Sequence, residues 1–594
     1  DSDGTVADMG AYPYLNSYSG PNWYITESGN DTTATGASDD PFRSIQAGIN
    51  FSSDDDSVTV AAGTYVENIN FRGRNIKVVG ADRETTIIDG DQNGSVVTFM
   101  DNAFGTLLKN LTIQNGQAIY EPVWAQTFGA AGGGIRIRGS RPILENILIK
   151  NNAASIGGGI YYHGGNLSNP KRTKFKNVVI TQNTAAKGGG IYCQDDVNEI
   201  FEGVDIIANT ATDQNGGGGI NSNWNSPVTI INSIIEGNQP NQLAINGSQC
   251  SFTVSYSNIE GGQDSIYISD GENNLINWEN GNLDVDSKFI DSDSENFHLL
   301  ASSQCINGGH PDSTDSDGTI ADIGAYPYLN SYSGPTWYIT EAGNDSTATG
   351  ASDDPFRSIQ AALNFGSDDD TAYVSAGTYN ENLVYRYDQS ESIRSVSLIG
   401  DNKETTIIDG NQAGIVLDLP NGGSSGLLIE GFTIRNGYAD GNMGGYGSYN
   451  QGGGIHVGHN YNPLHLNDLI ITNCNAVTGG AGGVGGGIFS ENSSLEISNV
   501  QINNNSAEDQ GGGIYFLGAS SVVKTLNIEN SDIEENTSTS SGAGIYIAKS
   551  PYGDEIPLAE ISNTTVSNNT SGNDGGGVSL NEVNATFDNF TVSE

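Results

Sequence analysis

The fold is decided by the stretch "PILENILIKNNAASIGGGIYYH", Pro142 to His163. Apolar and polar residues alternate along its first half, two asparagines follow, and three glycines lead into a second apolar run. Alternation with a period of two is typical of a half-buried β-strand. Words of the "GGGI" type recur 25 to 33 residues apart in each half of the chain, and they end at Ile135, Ile160, Ile191, Ile220, Ile455, Ile488, Ile514, Ile545 and Val578.

This short repeat predicts a solenoid of stacked strands. Its period fits one turn of about three short strands, and its Gly, Asn and β-branched residues disfavour a helical solenoid. Stacking at ~4.8 Å would align the recurrent asparagines in a ladder of hydrogen-bonded amides, with each asparagine in the left-handed conformation of a sharp bend. The ladder positions are Asn152, Asn183, Asn209, Asn505, Asn536 and Asn569, and Cys474 interrupts the ladder in the second half.

A longer repeat contains the short one. Residues 1–50 align without a gap with residues 315–364. The phrase "DSDGTIADIGAY" at Asp315 follows the end of a unit, so we interpret the matching phrase at Asp1 as an ending too. We expect four segments: 1–21 as the tail of a preceding unit plus a joint, 22–314 as a first unit, 315–335 as a repeated joint, and 336–594 as a second, C-terminally incomplete unit.

Five segments carry a likeness to known proteins, namely Gly29–Gln46, Ala62–Asn68, Tyr256–Gly262, Cys305–Pro311 and Asp315–Tyr326. They resemble the words of right-handed parallel β-helix proteins, above all large secreted bacterial surface proteins with tandem units. The resemblance implies an all-β fold of right-handed parallel β-helix solenoids in tandem. It implies no particular activity, because the same fold serves lyases, hydrolases, adhesins and fibres.

A short amphipathic helix is expected at the start of each unit. In "DDPFRSIQAGIN", Asp40 could serve as the N-cap, and Phe42 and Ile49 would lie on one face. The open end of a β-solenoid exposes an apolar core and unpaired strand edges that need a cover. We therefore predict capping helices over residues 40–50 and 354–364.

Charge and composition limit the function classes. The chain has 71 Asp+Glu against 23 Lys+Arg, a formal net charge of −48, which would repel nucleic acid and anionic membranes. It contains no apolar run long enough to enter a membrane. Its 80 glycines occur without a collagen period. We expect an extracellular or cell-surface protein without a nucleic-acid partner and without membrane insertion.

The residue after each "GGGI" isoleucine should point away from the core, because neighbouring strand residues face opposite sides. The candidate carbohydrate-binding residues lie at such positions or two residues further on: Arg136, Arg138, Tyr161, His163, Tyr192, Phe489, Tyr515 and Tyr546. Aromatic rings can stack on sugars, and Arg or His can bind a uronic acid carboxylate or abstract a proton. The alternative interpretation is an aromatic stack that stabilises the sheet. We assign no catalytic residue.

No cofactor is certain, and calcium is the candidate. Aspartates precede a glycine in "DSDGT", and the candidate ligands are Asp1, Asp3, Asp284, Asp286, Asp315 and Asp317. Hard oxygen ligands suit Ca²⁺, whereas the alternative is an ordinary Asp/Ser/Gly turn. The histidines of "GGGIHVGHNYNPLHLND" could bind a metal or lie in a solvated loop. The cysteines fit no zinc pattern, and either a Cys250–Cys305 disulfide or buried thiols would account for them.

We expect a non-enzymatic function, as a structural or adhesive repeat protein that builds a rod, stalk or filament. Its partners would be neighbouring units of the same protein, joined in tandem or end to end, and polysaccharide is a further candidate partner. The alternatives are a polysaccharide lyase or hydrolase, with Asp195 and Asp196 as candidate carboxylates, and a passive glycan-binding module. The tail at Asp1 could also complete a neighbouring subunit by donor-strand exchange.

Overall fold

The computed structural model describes residues 14–100, 104–118, 130–164, 172–269, 274–385, 394–420, 426–440, 451–459, 461, 463–477, 482–518, 522–550 and 555–594. The chain divides into two compact units. Unit 1 comprises Asp1–Ser287 and Asn307–Pro327, and unit 2 comprises Lys288–Ile306 and Tyr328–Glu594. The four-segment division expected from the long repeat stays a prediction.

Unit 1 consists mainly of two large sheets of short strands. The 15-stranded sheet contains Asn22–Ile25, Ser57–Val60, Gly63–Val66, Lys77–Gly80, Thr86–Asp89, Phe104–Gln114, Arg141–Lys150, Lys174–Thr181, Glu199–Glu202, Val204–Ile207, Val228–Ile231, Ile234–Glu236, Ser251–Ser255, Asn258–Ile259 and Leu275–Trp278. The 8-stranded sheet, named here the GGGI sheet of unit 1, contains Ile69–Asn70, Val97–Phe99, Ile135–Arg138, Ile160–His163, Ile191–Gln194, Gly217–Asn223, Asn241–Ile245 and Ile266–Ile268. Thr184–Ala185 pairs with Thr210–Ala211, and a 3-10 helix spans Gly262–Ser265.

The described residues of unit 2 form four stacked sheets and a hairpin. The 9-stranded sheet contains Thr336–Ile339, Thr371–Val374, Ser397–Gly400, Leu428–Glu430, Leu464–Asn467, Leu495–Ser498, Thr525–Glu529, Leu558–Ser562 and Asn584–Asp588. The 8-stranded sheet contains Gly377–Asn380, Thr406–Asp409, Thr433–Arg435, Ile470–Thr472, Gln501–Asn503, Asp532–Glu534, Thr565–Ser567 and Thr591–Ser593. The GGGI sheet of unit 2 contains Leu383–Val384, Leu417–Leu419, Ile455–Val457, Ile488–Glu491, Ile514–Gly518, Ile545–Lys549 and Val578–Asn581. The 5-stranded sheet contains Tyr438–Asp440, Asn475–Val477, Ser506–Ala507, Thr537–Ser538 and Thr570–Ser571, and the hairpin pairs Phe289–Asp291 with Asn296–Leu299.

Equivalent residues of successive coils lie in register. In the GGGI sheet of unit 1, Ile135, Ile160, Ile191 and Ile220 are consecutive pairing partners, and all four are fully buried. Among the described strand pairs, the hairpin of unit 2 is the antiparallel exception. Crossovers between parallel strands are right-handed in nearly all proteins. The chain is an all-β protein with the right-handed parallel β-helix fold, which confirms what the sequence resemblance implied.

The asparagine ladder forms as predicted. The side-chain amides of Asn152 and Asn183 each donate to the Oδ1 of the next ladder asparagine, at 3.0 Å. Their backbone N–H groups donate to the same oxygens. In unit 2 the backbone N–H of Cys474 donates to Asn505 Oδ1 at 2.9 Å, and the amide ladder continues from Asn505. Each ladder side chain therefore satisfies polar groups inside the bend.

The left-handed bend lies one residue earlier than predicted. Positive φ values occur at Asn151 (54°), Gln182 (55°) and Ala208 (54°), each of which directly precedes a ladder asparagine. The ladder residue itself points inward to bond its neighbours, so the preceding residue takes the left-handed conformation that bends the chain.

Each unit holds one described α-helix, α1 (Ile45–Phe51) in unit 1 and α2 (Ile359–Phe365) in unit 2. The predicted start at residue 40 and the Asp40 N-cap are wrong. Asp40 instead closes a turn by accepting from the Thr35 N–H at 2.8 Å, and the Phe42 N–H donates to Tyr24 O of the first strand. Ser44 is the N-cap, and its hydroxyl accepts from the Ala47 N–H.

The C-terminal segment of unit 1, Asn307–Pro327, covers a buried row of side chains on the outer side of the 15-stranded sheet. The row consists of the register neighbours Leu148, Val179, Asp205 and Ile234, each at most 9% exposed. The Ala325 N–H donates to Asp205 Oδ1 at 2.9 Å. The Arg83 guanidinium lies 4.3 Å from the centre of the Tyr326 ring. The sheet is therefore packed on both faces at this place.

Candidate functional site

Two rows of side chains cross the GGGI sheet of unit 1 beside its inward isoleucines. Strand pairing puts Arg136, Tyr161, Tyr192 and Asn221 in the first row, and Arg138, His163, Gln194 and Asn223 in the second. The glycines before these strands allow the coils to approach closely, since a Cβ at Gly159 would lie 2.7 Å from the Gly190 carbonyl oxygen. Close approach of the coils fixes the register of both rows.

The tyrosines of the first row are covered. Tyr161 and Tyr192 are 2% and 5% exposed, and their ring centroids lie 6.2 Å apart with planes 19° apart. Ala131 and Ile156 pack against the same pair. The Asn223 amide donates to the Tyr192 hydroxyl oxygen at 2.7 Å, and burial raises the pKa of Tyr192 to about 12. This geometry leaves little ring face for a sugar and favours the stabilising stack, while carbohydrate binding stays a prediction.

Charged groups meet at the second row. His163 Nε2 lies 3.0 Å from Oδ2 of Asp195, which directly follows the strand Ile191–Gln194. Burial lowers the pKa of His163, and the Asp195 carboxylate opposes that shift. Arg136 and Arg138 are half-buried on the adjacent strand. A base, a carboxylate and two cations on one face can bind an anionic group or move a proton.

Unit 2 repeats the stack with His456 in the place that Arg136 has in unit 1. His456, Phe489, Tyr515 and Tyr546 are consecutive register neighbours. Their ring centroids are 5.6, 5.5 and 5.2 Å apart, and adjacent planes are within 12°. The two inner rings are covered on both faces by their neighbours. The carbohydrate-binding role of Phe489, Tyr515 and Tyr546 likewise stays a prediction.

The three histidines considered as a metal site do not converge. His456, His459 and His465 each contact a different carboxylate, at 2.7, 3.3 and 3.0 Å. In the part of the chain that the structure describes, no group of three or more His, Cys, Asp or Glu side chains could hold a metal ion. All four cysteines are buried free thiols.

Two of the calcium candidates form a turn. Asp315 accepts from the Asp322 N–H at 2.9 Å, and Asp317 accepts from the N–H and hydroxyl of Thr319. Burial raises the pKa of Asp315 to about 6. These carboxylates already serve the turn, which was the alternative interpretation of "DSDGT".

The remaining calcium candidates lie elsewhere. Asp284 and Asp286, together with Glu236 and Glu260, line a cavity of about 430 Å³ in unit 1. The Gly261 N–H donates to Asp284 Oδ1 at 2.8 Å. Asp1 and Asp3 are outside the described residues. Calcium binding at any of these positions stays a prediction.

Sequence reasoning missed a buried charged cluster inside unit 1. Arg141 Nε lies 3.1 Å from Glu199 Oε1, the Tyr162 hydroxyl donates to the same oxygen, and the Thr173 N–H donates to Glu199 Oε2. Burial raises the pKa of Glu199 to about 7, although Tyr162 and Arg141 act to lower it. Charged residues close to apolar strand positions, in "RPILEN" and "NEIFEG", were the available signal. The cluster satisfies its own polar groups, as a structural network does.

A family model of the Chlamydia polymorphic membrane protein repeat matches residues 177–194 and 499–517. Each matched segment runs from a strand through a ladder asparagine, Asn183 or Asn505, and a glycine triplet into a strand of the GGGI sheet. No curated protein matches the chain. Among the described residues, no helix is long and apolar enough to span a bilayer.

Several solved structures are similar to the chain. Pectate lyase Pel9A is 16% identical with a TM-score of 0.31, and the match covers 52% of this chain and 96% of the lyase. A pectin methylesterase from carrot is 15% identical with a TM-score of 0.30, covering 47% and 92% of the respective chains. A variant of the PL6-family alginate lyase AlyGC is 12% identical with a TM-score of 0.23, covering 92% and 99%.

Proposed function

We propose that the chain is a structural or adhesive part of a secreted or cell-surface protein, in which β-helix units join in tandem or end to end into a rod, stalk or filament. The observation that carries the proposal is the stack of mutually covered rings in the GGGI sheet of each unit. Rings used in this way stabilise a column of coils. The residue that follows the first "GGGI" isoleucine is Arg136 in unit 1 and His456 in unit 2. The two units therefore do not share a reactive side chain at this position.

The proposed location rests on two features. The family model of the polymorphic membrane protein repeat matches one segment in each unit, 177–194 and 499–517, and each segment runs from a strand through a ladder asparagine to a "GGGI" strand. The net charge of −48 suits a surface exposed to salt-rich water and repels nucleic acid and anionic membranes.

The short helices would cap the first coil of their units. The Glu67 carboxylate accepts from the Ile45 and Gln46 N–H groups at 2.7 and 3.0 Å, and so satisfies the start of α1. Glu381 does the same for α2. Ile45 and Ile49 are fully buried against the coil below, which suits a cover over an open apolar end.

Negative-stain electron microscopy and light scattering of the purified chain over a concentration series test the structural function. We expect elongated particles that associate lengthwise. Incubation with pectate, alginate or chondroitin should produce no ultraviolet-absorbing unsaturated ends. Compact monomers at every concentration, or turnover of any of these polymers, would contradict the proposal.

A second candidate function is binding of an acidic glycan to unit 1. It is favoured by the cationic pair Arg136 and Arg138 beside the His163–Asp195 contact, in a chain that is otherwise strongly acidic. Titration calorimetry with oligogalacturonate at low salt would show binding that salt weakens. The double variant Arg136→Gln/Arg138→Gln should lose it, whereas Arg43→Gln, at an exposed position elsewhere on unit 1, should retain it. Equal binding by both variants would exclude this site.

A further inference from the structure

The two helices have matching sequences and different cover. Asn50 of α1 corresponds to Asn364 of α2, and Asp31 corresponds to Asp345 in the same alignment. All seven residues of α2 are buried, whereas in α1 the buried residues are Ile45, Gly48 and Ile49. Asn364 is 0% exposed and Asp345 is 8% exposed, while Asn50 and Asp31 are both exposed. Identical side chains therefore meet different surroundings in the two units.

The cover on α2 is the segment Lys288–Ile306 of unit 2. The Asn364 side-chain amide donates to the backbone oxygens of Ala301 and Ser303, at 2.9 and 2.8 Å. The Ala301 N–H donates to the backbone oxygen of Asp345 at 2.7 Å. The segment contains the hairpin of unit 2, and its residues Phe297, Leu299, Ala301, Cys305 and Ile306 are each at most 2% exposed. Three specific hydrogen bonds and an apolar core hold it in place.

Unit 1 presents the same receiving surface. The Gln46 amide donates to Asn50 Oδ1 at 3.0 Å, and the corresponding bond from Gln360 to Asn364 is 3.1 Å. The asparagine oxygen is therefore engaged in the same way in both helices. Among the described residues of unit 1, no segment makes the hydrogen bonds to Asn50 and Asp31 that Lys288–Ile306 makes in unit 2.

We propose that the face formed by Asp31, Gln46, Ala47 and Asn50, named the α1 face, is a docking surface for a polypeptide segment of the Lys288–Ile306 kind carried by a further unit of the same type. Unit 2 identifies the occupant, because Asn364 and Asp345, the counterparts of Asn50 and Asp31, bind that segment there. This docking rests on the proposed function, in which units join. It specifies the two surfaces that would be in contact where they join.

The test adds a second copy of residues 284–314 directly before Asp1 of the full chain. The copied Thr314 then precedes Asp1 as Thr314 precedes Asp315, the counterpart of Asp1 in the long repeat. Hydrogen exchange measured by mass spectrometry then compares α1 with α2 in the same sample. Exchange of α1 should slow by about tenfold or more relative to the unextended chain, because new hydrogen bonds must open first. Its protection should approach that of α2.

Matched variants make the result specific. Asn50→Ala in the extended chain should return α1 to fast exchange, and it should change little in the unextended chain because Asn50 is exposed. Asn364→Ala should loosen α2 in the same measurement. Unchanged exchange of α1 on extension, or protection that survives Asn50→Ala, would overturn the docking. Filaments without protection of α1 would contradict this docking alone, and protection without filaments would contradict only the proposed function.

Discussion

Asp205 is a buried carboxyl group that should set the pH dependence of unit 1. It is 0% exposed, and its strand neighbours are Val179 and Ile234. Burial raises the pKa of Asp205 from 3.8 to about 8, and the charge of Glu236 adds to the rise. The folded state therefore holds a proton that the unfolded chain releases between those two pKa values. Because the unfolded state binds fewer protons in this range, stability falls as the pH rises from about 4 to about 8.

Asp205→Asn removes the ionisation and keeps an oxygen that can accept from the Ala325 N–H. Each unit of pKa shift corresponds to about 1.4 kcal/mol. For a pKa that rises from 3.8 to about 8, the wild type should lose about 3 to 4 kcal/mol of unfolding free energy between pH 5 and pH 8 that the variant keeps.

Denaturant unfolding at pH 5, 6.5 and 8 measures the effect, with hydrogen exchange of the strand Val204–Ile207 as the local probe. Strands of unit 2 serve as an internal reference. The control is Asp264→Asn, at an exposed position of the same unit, which should leave the pH dependence unchanged. Equal slopes of stability against pH for the wild type and Asp205→Asn would refute the reasoning.

Three further substitutions, with Cys193→Asn as a control, test the stack of coils by thermal and denaturant unfolding. Cys474→Asn should stabilise unit 2 by about 1 kcal/mol, because its amide can reach Asn505 Oδ1 and extend the ladder; Cys193→Asn, which buries an amide in the core, should destabilise unit 1. Asn183→Ala should cost about 2 to 4 kcal/mol, because buried partners on both neighbouring coils lose their hydrogen bonds. Gly159→Ala should cost about 1 to 3 kcal/mol, since its Cβ would meet the Gly190 carbonyl oxygen. A stabilising Gly159→Ala, or a neutral Asn183→Ala, would contradict the stacking model.

The stacked fold was predictable because its information is local and repeated. The alternation in "PILENILIKNN" defines a strand, and the recurring words fix which residues pair from coil to coil. The ladder followed from that register alone. The start of α1 was not predictable from cap rules, because Asp40 and Phe42 make contacts outside the helix. Asp40 accepts from the Thr35 N–H in a turn, and the Phe42 N–H donates to the Tyr24 carbonyl oxygen of the first strand.

The candidate site was harder to predict because outward on a strand does not mean exposed. Tyr161 and Tyr192 take the predicted row, yet Ala131 and Ile156 from neighbouring loops cover them. The pairing of His163 with Asp195 depends on a turn whose left-handed φ of 57° at Asp195 directs the carboxylate. These are contacts between coils, and a single coil's sequence does not encode them.

The two units differ in the residues of their outer faces and agree in the segments around their helices. In unit 1 the outer row that contains Leu148 and Val179 is buried, is apolar except for Asp205, and lies under the segment that contains Ala325. The corresponding outer row of unit 2 is Ile470, Gln501, Asp532 and Thr565, of which Gln501 and Asp532 are exposed. The coils can differ in this way because a strand needs only the right pattern. The segments around α1 and α2 are nearly identical in sequence. In unit 2 this segment makes specific hydrogen bonds, such as the one from the Asn364 side chain to the Ala301 carbonyl oxygen. Sequence identity is therefore concentrated around the helix that binds the segment Lys288–Ile306 in unit 2, as the docking proposed for α1 requires.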